Sequence, residues 1–112
     1  MNLSTTTDQG KCVVTVNEAR IDAAVALAFK DEMRSRTEDG PNIVVLNLSE
    51  VDFVDSSGLG AIVASMKSMG RGRTLALAGM TPKVEKVFRL TRMDSVFAMY
   101  PTLNEALAQA GE

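Results

Sequence analysis

A run of apolar residues in the middle of the chain constrains the fold most. Residues 43–48 read Ile-Val-Val-Leu-Asn-Leu after Gly40-Pro41, and the first four of these positions are apolar without alternation. A strand with one solvated face alternates apolar and polar residues, whereas an unbroken apolar run is typical of a strand that is covered on both faces. We therefore expect a central strand of a sheet that has helices on each side.

Three further segments have the composition of strands. Residues 11–16 form a β-branched run between Gly10 and Asn17, residues Thr74–Ala78 follow a Gly-Arg-Gly-Arg loop, and a shorter run spans Val96–Met99. β-branched residues favour strands because they fit a pleated, half-buried surface, and glycine-rich segments favour the turns between them.

Helical patterns separate these strands. Asp22, Thr81 and Thr102 are the predicted N-caps of the first, third and fourth helices; Glu105 completes a capping box with Thr102, and Gly70 ends the second helix. The predicted inward-facing stripes are Val25, Ala28, Phe29 and Met33; Leu59, Ile62, Val63 and Met66; Val84, Val87 and Phe88; and Leu103, Ala106, Leu107 and Ala110. Strands that alternate with helices predict an α/β fold, and 112 residues fit a single domain over residues 1–112.

The residue types that are missing limit the chemistry. The chain contains no histidine, no tryptophan and one cysteine, which removes Ser-His-Asp and Cys-His nucleophilic sites, histidine acid–base catalysis and the common zinc ligand sets. We therefore expect no enzyme activity, no catalytic residues, no metal site and no cofactor. Cys12 lies in a β-branched run and is predicted to be a buried small hydrophobic residue, with a reactive thiol as the alternative.

Charge and hydropathy also narrow the choice of partners. A formal net charge of −2 gives no basic face for nucleic acid. The first ten residues lack the basic segment and apolar run of a signal peptide, and no stretch of about 18 apolar residues occurs. We expect a cytoplasmic protein with no membrane insertion, while the oligomeric state stays open.

The segment from Leu46 to Gly60, LNLSEVDFVDSSGLG, is the most unusual part of the sequence. A strand leads into a polar turn, Asp55-Ser56-Ser57-Gly58, which opens the second helix. One side-chain oxygen is enough to cap a helix, so spare hydroxyl groups are expected at the positive end of the helix dipole. A phosphate is stabilised there, and a phosphoserine would add about −1.5 to −2 charges beside Asp55 and Asp52.

The motif DFVDSSGLGAIVASMK resembles the signature of STAS-domain anti-sigma factor antagonists. The resemblance extends through IVVLNLSEV before it, and through GRTLALAGMTPKVEKVFRLT and VFAMYPTLNEALA after it, so that residues 11–110 align. It implies the STAS fold, a mixed and mostly parallel sheet of four to five strands with about four helices.

The resemblance also implies a mechanism. The serine after the motif aspartate, here Ser56, accepts phosphate from an anti-sigma factor with serine kinase activity, and Ser57 is the second candidate. The unphosphorylated protein binds that kinase and frees a sigma factor, the phosphorylated protein is released, and a metal-dependent serine phosphatase resets the cycle. The partner-binding residues that it implies are Asp22, Asp55, Ser56, Ser57, Gly58, Leu59 and Gly60.

The chain departs from the family pattern at two places. The family commonly has Gly-Glu-Leu-Asp before the first helix, and only Ile21-Asp22 matches that pattern here. The glycine is missing, and because asparagine tolerates the left-handed backbone conformation, Asn17 is expected to supply it. Arg92 replaces the glycine that usually ends the third helix, where an arginine is compatible with the helix dipole.

Two other interpretations remain open on the sequence alone. Asp55, Ser56 and Ser57 could be ordinary capping residues without a switch. Small STAS proteins also serve as cytoplasmic subunits of lipid-transport ATPase complexes, which would require stable docking on a transporter and no phosphorylation.

Overall fold

The computed structural model describes residues 1–111. In chain order its elements are β1 Leu3–Asp8, β2 Lys11–Val16, β3 Arg20–Ile21, α1 Ala26–Thr37, β4 Ile43–Asn47, β5 Phe53–Val54, α2 Ser56–Met69, β6 Thr74–Ala78, α3 Pro82–Leu90, a 3-10 helix Met93–Ser95, β7 Ala98–Tyr100 and α4 Leu103–Gln109. Strands β1-β2-β4-β6-β7 form one sheet in that order, and β3 pairs with β5 in a second, two-stranded sheet. β1 is antiparallel to β2, and all other neighbours are parallel.

These elements confirm the predicted α/β architecture with a mixed, mostly parallel sheet. The strands predicted at residues 11–16 and 74–78 have the predicted bounds. The last strand begins later than predicted, at Ala98, because Val96 closes the 3-10 turn by donating its N–H to the Met93 carbonyl at 3.0 Å. The strand predicted over 43–48 ends at Asn47, although the Leu48 N–H still bonds the Ala78 carbonyl of β6.

Both faces of the sheet are covered, as the apolar run at 43–48 predicts. Val44 and Leu46 of β4 pack on one face with Phe29 of α1, Ile62 of α2 and Phe88 of α3, all fully buried. Val45 between them packs on the other face in a smaller cluster with Ala76, Ala78, Ala106 and Ala110. Successive side chains of β4 therefore enter two different hydrophobic clusters.

Strand β1 was not predicted, because its sequence lacks the apolar pattern of a strand. Only Leu3 is buried, and the rest of β1 is exposed. A two-residue turn joins it to β2, in which Gln9 (φ 53°) and Gly10 (φ 74°) both have positive φ. This conformation matches the type I′ turns that fit the twist of a hairpin. The strand is thus held mainly by backbone pairing with β2.

Helix α1 begins later than the sequence predicts. Its N-cap is Val25 and not Asp22. The Asp22 carboxylate instead accepts a hydrogen bond from the Ala24 N–H at 3.1 Å, which forms a local turn that competes with the helix. Phe29 and Met33 are buried as predicted, whereas Ala28 is exposed. The α1 stripe is therefore narrower than predicted.

The other three helices begin and end close to the predicted signals. The hydroxyl oxygens of Thr81 and Thr102 accept from the third N–H of α3 and α4, at 3.4 and 3.1 Å. Gly70, with φ 79°, ends α2. The apolar stripes of these helices face the core, with Val84, Phe88, Ala106 and Leu107 buried.

The backbone conformation contradicts the expectation for Asn17 and shows how the chain accommodates Arg92. Asn17 does not adopt positive φ; it extends the β1–β2 pairing, where its N–H donates to the Asn2 carbonyl at 2.9 Å. Arg92 does adopt the left-handed conformation, with φ 61°, two residues after the end of α3 at Leu90. A side chain with a Cβ is disfavoured in that conformation.

Gly58, in the first turn of α2, lets this helix approach β3 closely. A Cβ at this position would lie 1.9 Å from the backbone oxygen of Ile21. Gly60, two residues later, has open space around the corresponding position. Gly58 therefore sets the distance between the second helix and the small β3–β5 sheet.

We predict that Gly58→Ala and Gly60→Ala change stability in opposite directions. The Gly58 methyl group would collide with backbone, which cannot move aside as a side chain can, at a cost of about 2–4 kcal/mol. The Gly60 methyl group fits, and alanine in a helix is favoured over glycine by up to about 1 kcal/mol. Chemical denaturation of the two variants measures both effects, and equal stability of the two would contradict the close approach.

Arg92→Gly should raise the free energy of unfolding by up to about 1 kcal/mol, because glycine adopts the left-handed conformation without the Cβ clash. Arg92→Ala is the matched control. It removes the arginine side chain but keeps the Cβ, so it should give no gain. A similar gain from both variants in urea denaturation would show that the side chain and not the backbone is the cause.

Candidate functional site

The polar turn between β5 and α2 is organised by the carboxylate of Asp55. Asp55 is the N-cap of α2, and its Oδ1 accepts a hydrogen bond from the Gly58 N–H at 2.8 Å. Its backbone carbonyl accepts from the Leu59 N–H at 2.9 Å, the first bond of the helix. Asp55 alone therefore satisfies the capping requirement.

Ser56 and Ser57 occupy the first two positions of α2 and are both exposed. Because the first N–H groups of a helix have no partner within the helix, their backbone N–H groups lie at its positive end. The spare hydroxyl groups that the sequence predicts are thus at the surface, at the end of a helix of 14 residues.

The loop that contains Asp22 lies directly against this turn. The second oxygen of Asp55, Oδ2, accepts from the Ala23 N–H at 3.2 Å, and the Asp55 N–H donates to the Ile21 carbonyl at 3.4 Å. Pairing of β3 with β5 places Ile21 opposite Val54, so that Asp22 and Asp55 follow at the ends of two neighbouring strands. The structure therefore brings together Asp22, Asp55 and the two serines.

The three remaining motif residues differ in their exposure. Gly58 is buried beneath the turn, where it packs against Ile21. Leu59 is half-buried and packs on the core. Gly60 is exposed on the outer side of α2. Of these three, Gly60 is the most exposed.

Arg20 adds a positive charge to this surface that the sequence analysis did not single out. Its Nε donates to Asp22 Oδ2 at 3.2 Å, and its guanidinium lies 4.1 Å from the centroid of the Phe53 ring. Its side chain is nevertheless 59% exposed. This contact forms because Arg20 of β3 pairs in register with Phe53 of β5. It was not predicted from the sequence, because a strand of two residues is too short to show an alternating pattern.

An exposed leucine lies next to the same loop. Leu27, the second residue of α1, is 69% exposed. The helix to which it belongs begins three residues after Ala23, the residue that is bonded to Asp55. A single exposed apolar side chain is common on protein surfaces, and here it adds apolar area close in sequence to the polar loop.

Cys12 is buried, as predicted, with 2% of its surface exposed. Burial raises the pKa of its thiol, and the nearby positive charge of Arg73 opposes this shift without cancelling it. The thiol is therefore protonated at neutral pH and behaves as a small apolar group.

Within residues 1–111, no cluster of three or more acidic or cysteine side chains could hold a metal ion. No helix in that range is long and apolar enough to cross a membrane.

Comparison with known sequences identifies the relatives of this chain. The sequence model of the STAS domain matches residues 2–106. A Thermotoga maritima protein, provisionally named an anti-sigma factor antagonist, is 39% identical over 71 residues, which cover 62% of this chain and 63% of that protein, less than two thirds of its length. The anti-sigma-F factor antagonist RsfB of Mycobacterium tuberculosis is 26% identical over 98 residues, which cover 88% of this chain and 80% of RsfB.

Comparison with solved structures agrees with the sequence comparison. The crystal structure of an anti-sigma factor antagonist from Mycobacterium paratuberculosis superposes with a TM-score of 0.86 at 29% identity, covering 96% of this chain and 91% of that one. The family match includes the strand, turn and helix that carry Ser56, and the fold agrees over nearly all of the chain. The resemblance predicted from the motif is thereby confirmed, and the chain belongs to the STAS domain family.

Proposed function

We propose that this chain is an anti-sigma factor antagonist that binds its anti-sigma factor while Ser56 is unphosphorylated and is released when Ser56 carries a phosphate. One observation supports this most directly: Asp55 makes the capping hydrogen bond of α2, and Ser56 is exposed. The Ser56 hydroxyl group is therefore available for modification without loss of the helix cap. The names of the relatives point to the same class of protein.

A phosphate on Ser56 is compatible with the folded domain. The positive end of α2 favours an anion by about 0.3–1 kcal/mol per charge, and the exposed side chain leaves the phosphate in water. The same phosphate opposes docking, because a partner that fits a neutral hydroxyl would have to bury an unmatched double charge. Phosphorylation thus acts on the interface and not on the fold.

In this proposal the phosphate is added and removed by partner enzymes and not by the chain itself. In the proposed cycle the anti-sigma factor is a serine kinase of the histidine-kinase-like ATPase class, which transfers the terminal phosphoryl group of ATP to the Ser56 oxygen. A metal-dependent serine phosphatase removes it. The chain itself acts in the cytoplasm as a binding module and not as an enzyme.

The proposed docking surface consists of the Ser56 turn, the Asp22 loop and the outer side of α2. Exposed positions of this surface are Ser56, Ser57 and Gly60, with Asp22 and Asp55 half-buried behind them. Leu27 beside the turn supplies exposed apolar area. The alternative role as a subunit of a lipid-transport ATPase is not favoured, since the relatives above are named as antagonists.

Phosphorylation can be tested with purified proteins. Incubation of the chain with ATP and each histidine-kinase-like ATPase of the source organism should yield one kinase that phosphorylates Ser56, located by peptide mass spectrometry. Ser56→Ala should abolish the modification, and Ser57→Ala is the matched control that should retain it. Phosphate on Ser57 of the wild-type chain, or on neither serine with any of these kinases, would contradict the assignment.

Binding tests the consequence of the charge. Ser56→Asp should weaken the complex with that kinase by about 2–5 kcal/mol, at least ~30-fold in Kd, because it buries an unmatched charge. Ser95→Asp is the control, since Ser95 is an exposed serine in the 3-10 helix outside the proposed surface. Isothermal titration calorimetry measures both. Equal affinity of wild type and Ser56→Asp would exclude the mechanism, provided that both variants have the thermal stability of the wild type.

A further inference from the structure

The outer edge of strand β1 is the most accessible unpaired backbone in the main sheet. β1 is the first strand in the sheet order, so that β2 covers one of its edges and, within residues 1–111, no strand pairs with the other. It spans six residues, and its register with β2 runs without a bulge from Leu3↔Val16 to Asp8↔Lys11. Five of its six residues are exposed.

The hairpin geometry determines which backbone groups point outward. In a two-residue hairpin the residues that flank the turn, here Asp8 and Lys11, form a hydrogen-bonded pair. Alternation along the ladder then directs the N–H and C=O groups of Leu3, Thr5 and Thr7 away from β2. The bond from the Asn17 N–H to the Asn2 carbonyl, at the far end of the hairpin, agrees with this phase.

This edge lacks the features with which proteins usually prevent strand pairing. Natural edge strands are shortened, bulged, or carry lysine or proline. Residues 4–7 read Ser-Thr-Thr-Thr, without charge, proline or glycine, and Asp8 is the one charged residue of the strand. A regular, uncharged edge of this length is suited to pair with another strand.

We propose that β1 is a dimerisation edge, at which two copies of this chain pair β1 to β1 in antiparallel orientation about a two-fold axis through Thr5. This arrangement joins the two five-stranded sheets into one continuous sheet. In this register the outward groups of Leu3, Thr5 and Thr7 meet those of Thr7, Thr5 and Leu3 of the second copy, which forms about six backbone hydrogen bonds.

The side chains support a second copy of the same chain as the occupant. Thr5 faces Thr5 of the second copy, Ser4 faces Thr6, and Asp8 faces Asn2, so that no like charges are opposed. Cross-strand threonine and serine pairs are favourable in antiparallel sheets.

One positively charged side chain lies near the proposed two-fold axis, and it already forms an ion pair within its own copy of the chain. Arg36 of α1 donates to Thr5 Oγ1 at 3.0 Å and to Glu32 Oε2 at 2.9 Å. The two copies of Arg36 would therefore meet as ion pairs and not as bare charges.

The proposed dimer is independent of the Ser56 switch. Helix α2, which carries Ser56, packs mainly against α1, β3, β5 and β6. A dimer joined at β1 would leave the Ser56 turn of each copy accessible and would present two docking surfaces to a partner that is itself dimeric, which raises the apparent affinity through effective concentration.

Charge substitutions at the axis test this register. Wild-type chain should dimerise with increasing concentration in sedimentation-equilibrium experiments. Thr5→Glu and Thr5→Lys should each remain monomeric because like charges face each other, and their equimolar mixture should dimerise again. Thr6→Glu is the control: the same charge is placed one residue away, where it faces Ser4 and not its own copy, and it should reduce dimerisation much less than Thr5→Glu.

Amide hydrogen exchange provides a second readout that does not depend on substitutions. Exchange at Leu3, Thr5 and Thr7 should slow as the protein concentration rises, while Ser4 and Thr6, whose N–H groups already bond β2, should not change. A wild-type chain that stays monomeric at the highest concentration reached, or a mixture of the two Thr5 variants that does not associate, would overturn the proposal. Either result would leave the Ser56 switch unaffected.

Discussion

The carboxylate of Asp55 is the interaction on which the arrangement of the site depends. One oxygen caps α2 at the Gly58 N–H, and the other bonds the Ala23 N–H of the loop that precedes α1. The two segments are 32 residues apart in sequence, and the same side chain fixes both. Close packing of Gly58 on the Ile21 carbonyl holds the helix at the distance at which both bonds form. A longer distance would break one bond or the other.

In the proposed mechanism, the separation of the helix cap from the modified serine accounts for a turn with more polar residues than a cap needs. If Ser56 were the N-cap, its hydroxyl group would accept a helix N–H, and a phosphate would have to replace that bond. Because Asp55 is the cap and Ser56 is the first helical residue, the hydroxyl group is exposed while the helix start is complete. The local structure thus allows a modification that leaves stability nearly unchanged.

The elements that the sequence predicts are those whose stability comes from apolar burial with a regular period. β2, β4, β6 and the helices α2 to α4 have such patterns, and they appear close to their predicted positions. The motif likewise predicts Asp55, Ser56 and Ser57 at the start of α2. These signals are local, so a single sequence contains them.

The elements that were missed depend on partners that are distant in sequence. β1 is polar and is held by backbone pairing with β2, and β3 and β5 are two residues each and exist because they pair with each other. Asp22 has the composition of an N-cap, yet its carboxylate makes a turn with Ala24 and an ion pair with Arg20. Local rules rank Asp22 as a cap because they do not include the contact between its loop and Asp55.

The charges around the turn show how a phosphate would alter recognition beyond the direct contact. Asp22 is paired with Arg20, and Asp55 is engaged in two hydrogen bonds, so that both acidic groups are already satisfied by the protein. Arg20, held by the Phe53 ring, keeps the surface from being purely acidic. A phosphoserine at position 56 would add about −1.5 to −2 charges at the exposed start of α2 and make the potential of this surface more negative. Because long-range potential steers association, the proposed modification would change the rate of encounter with a charged partner surface as well as the stability of the complex that forms.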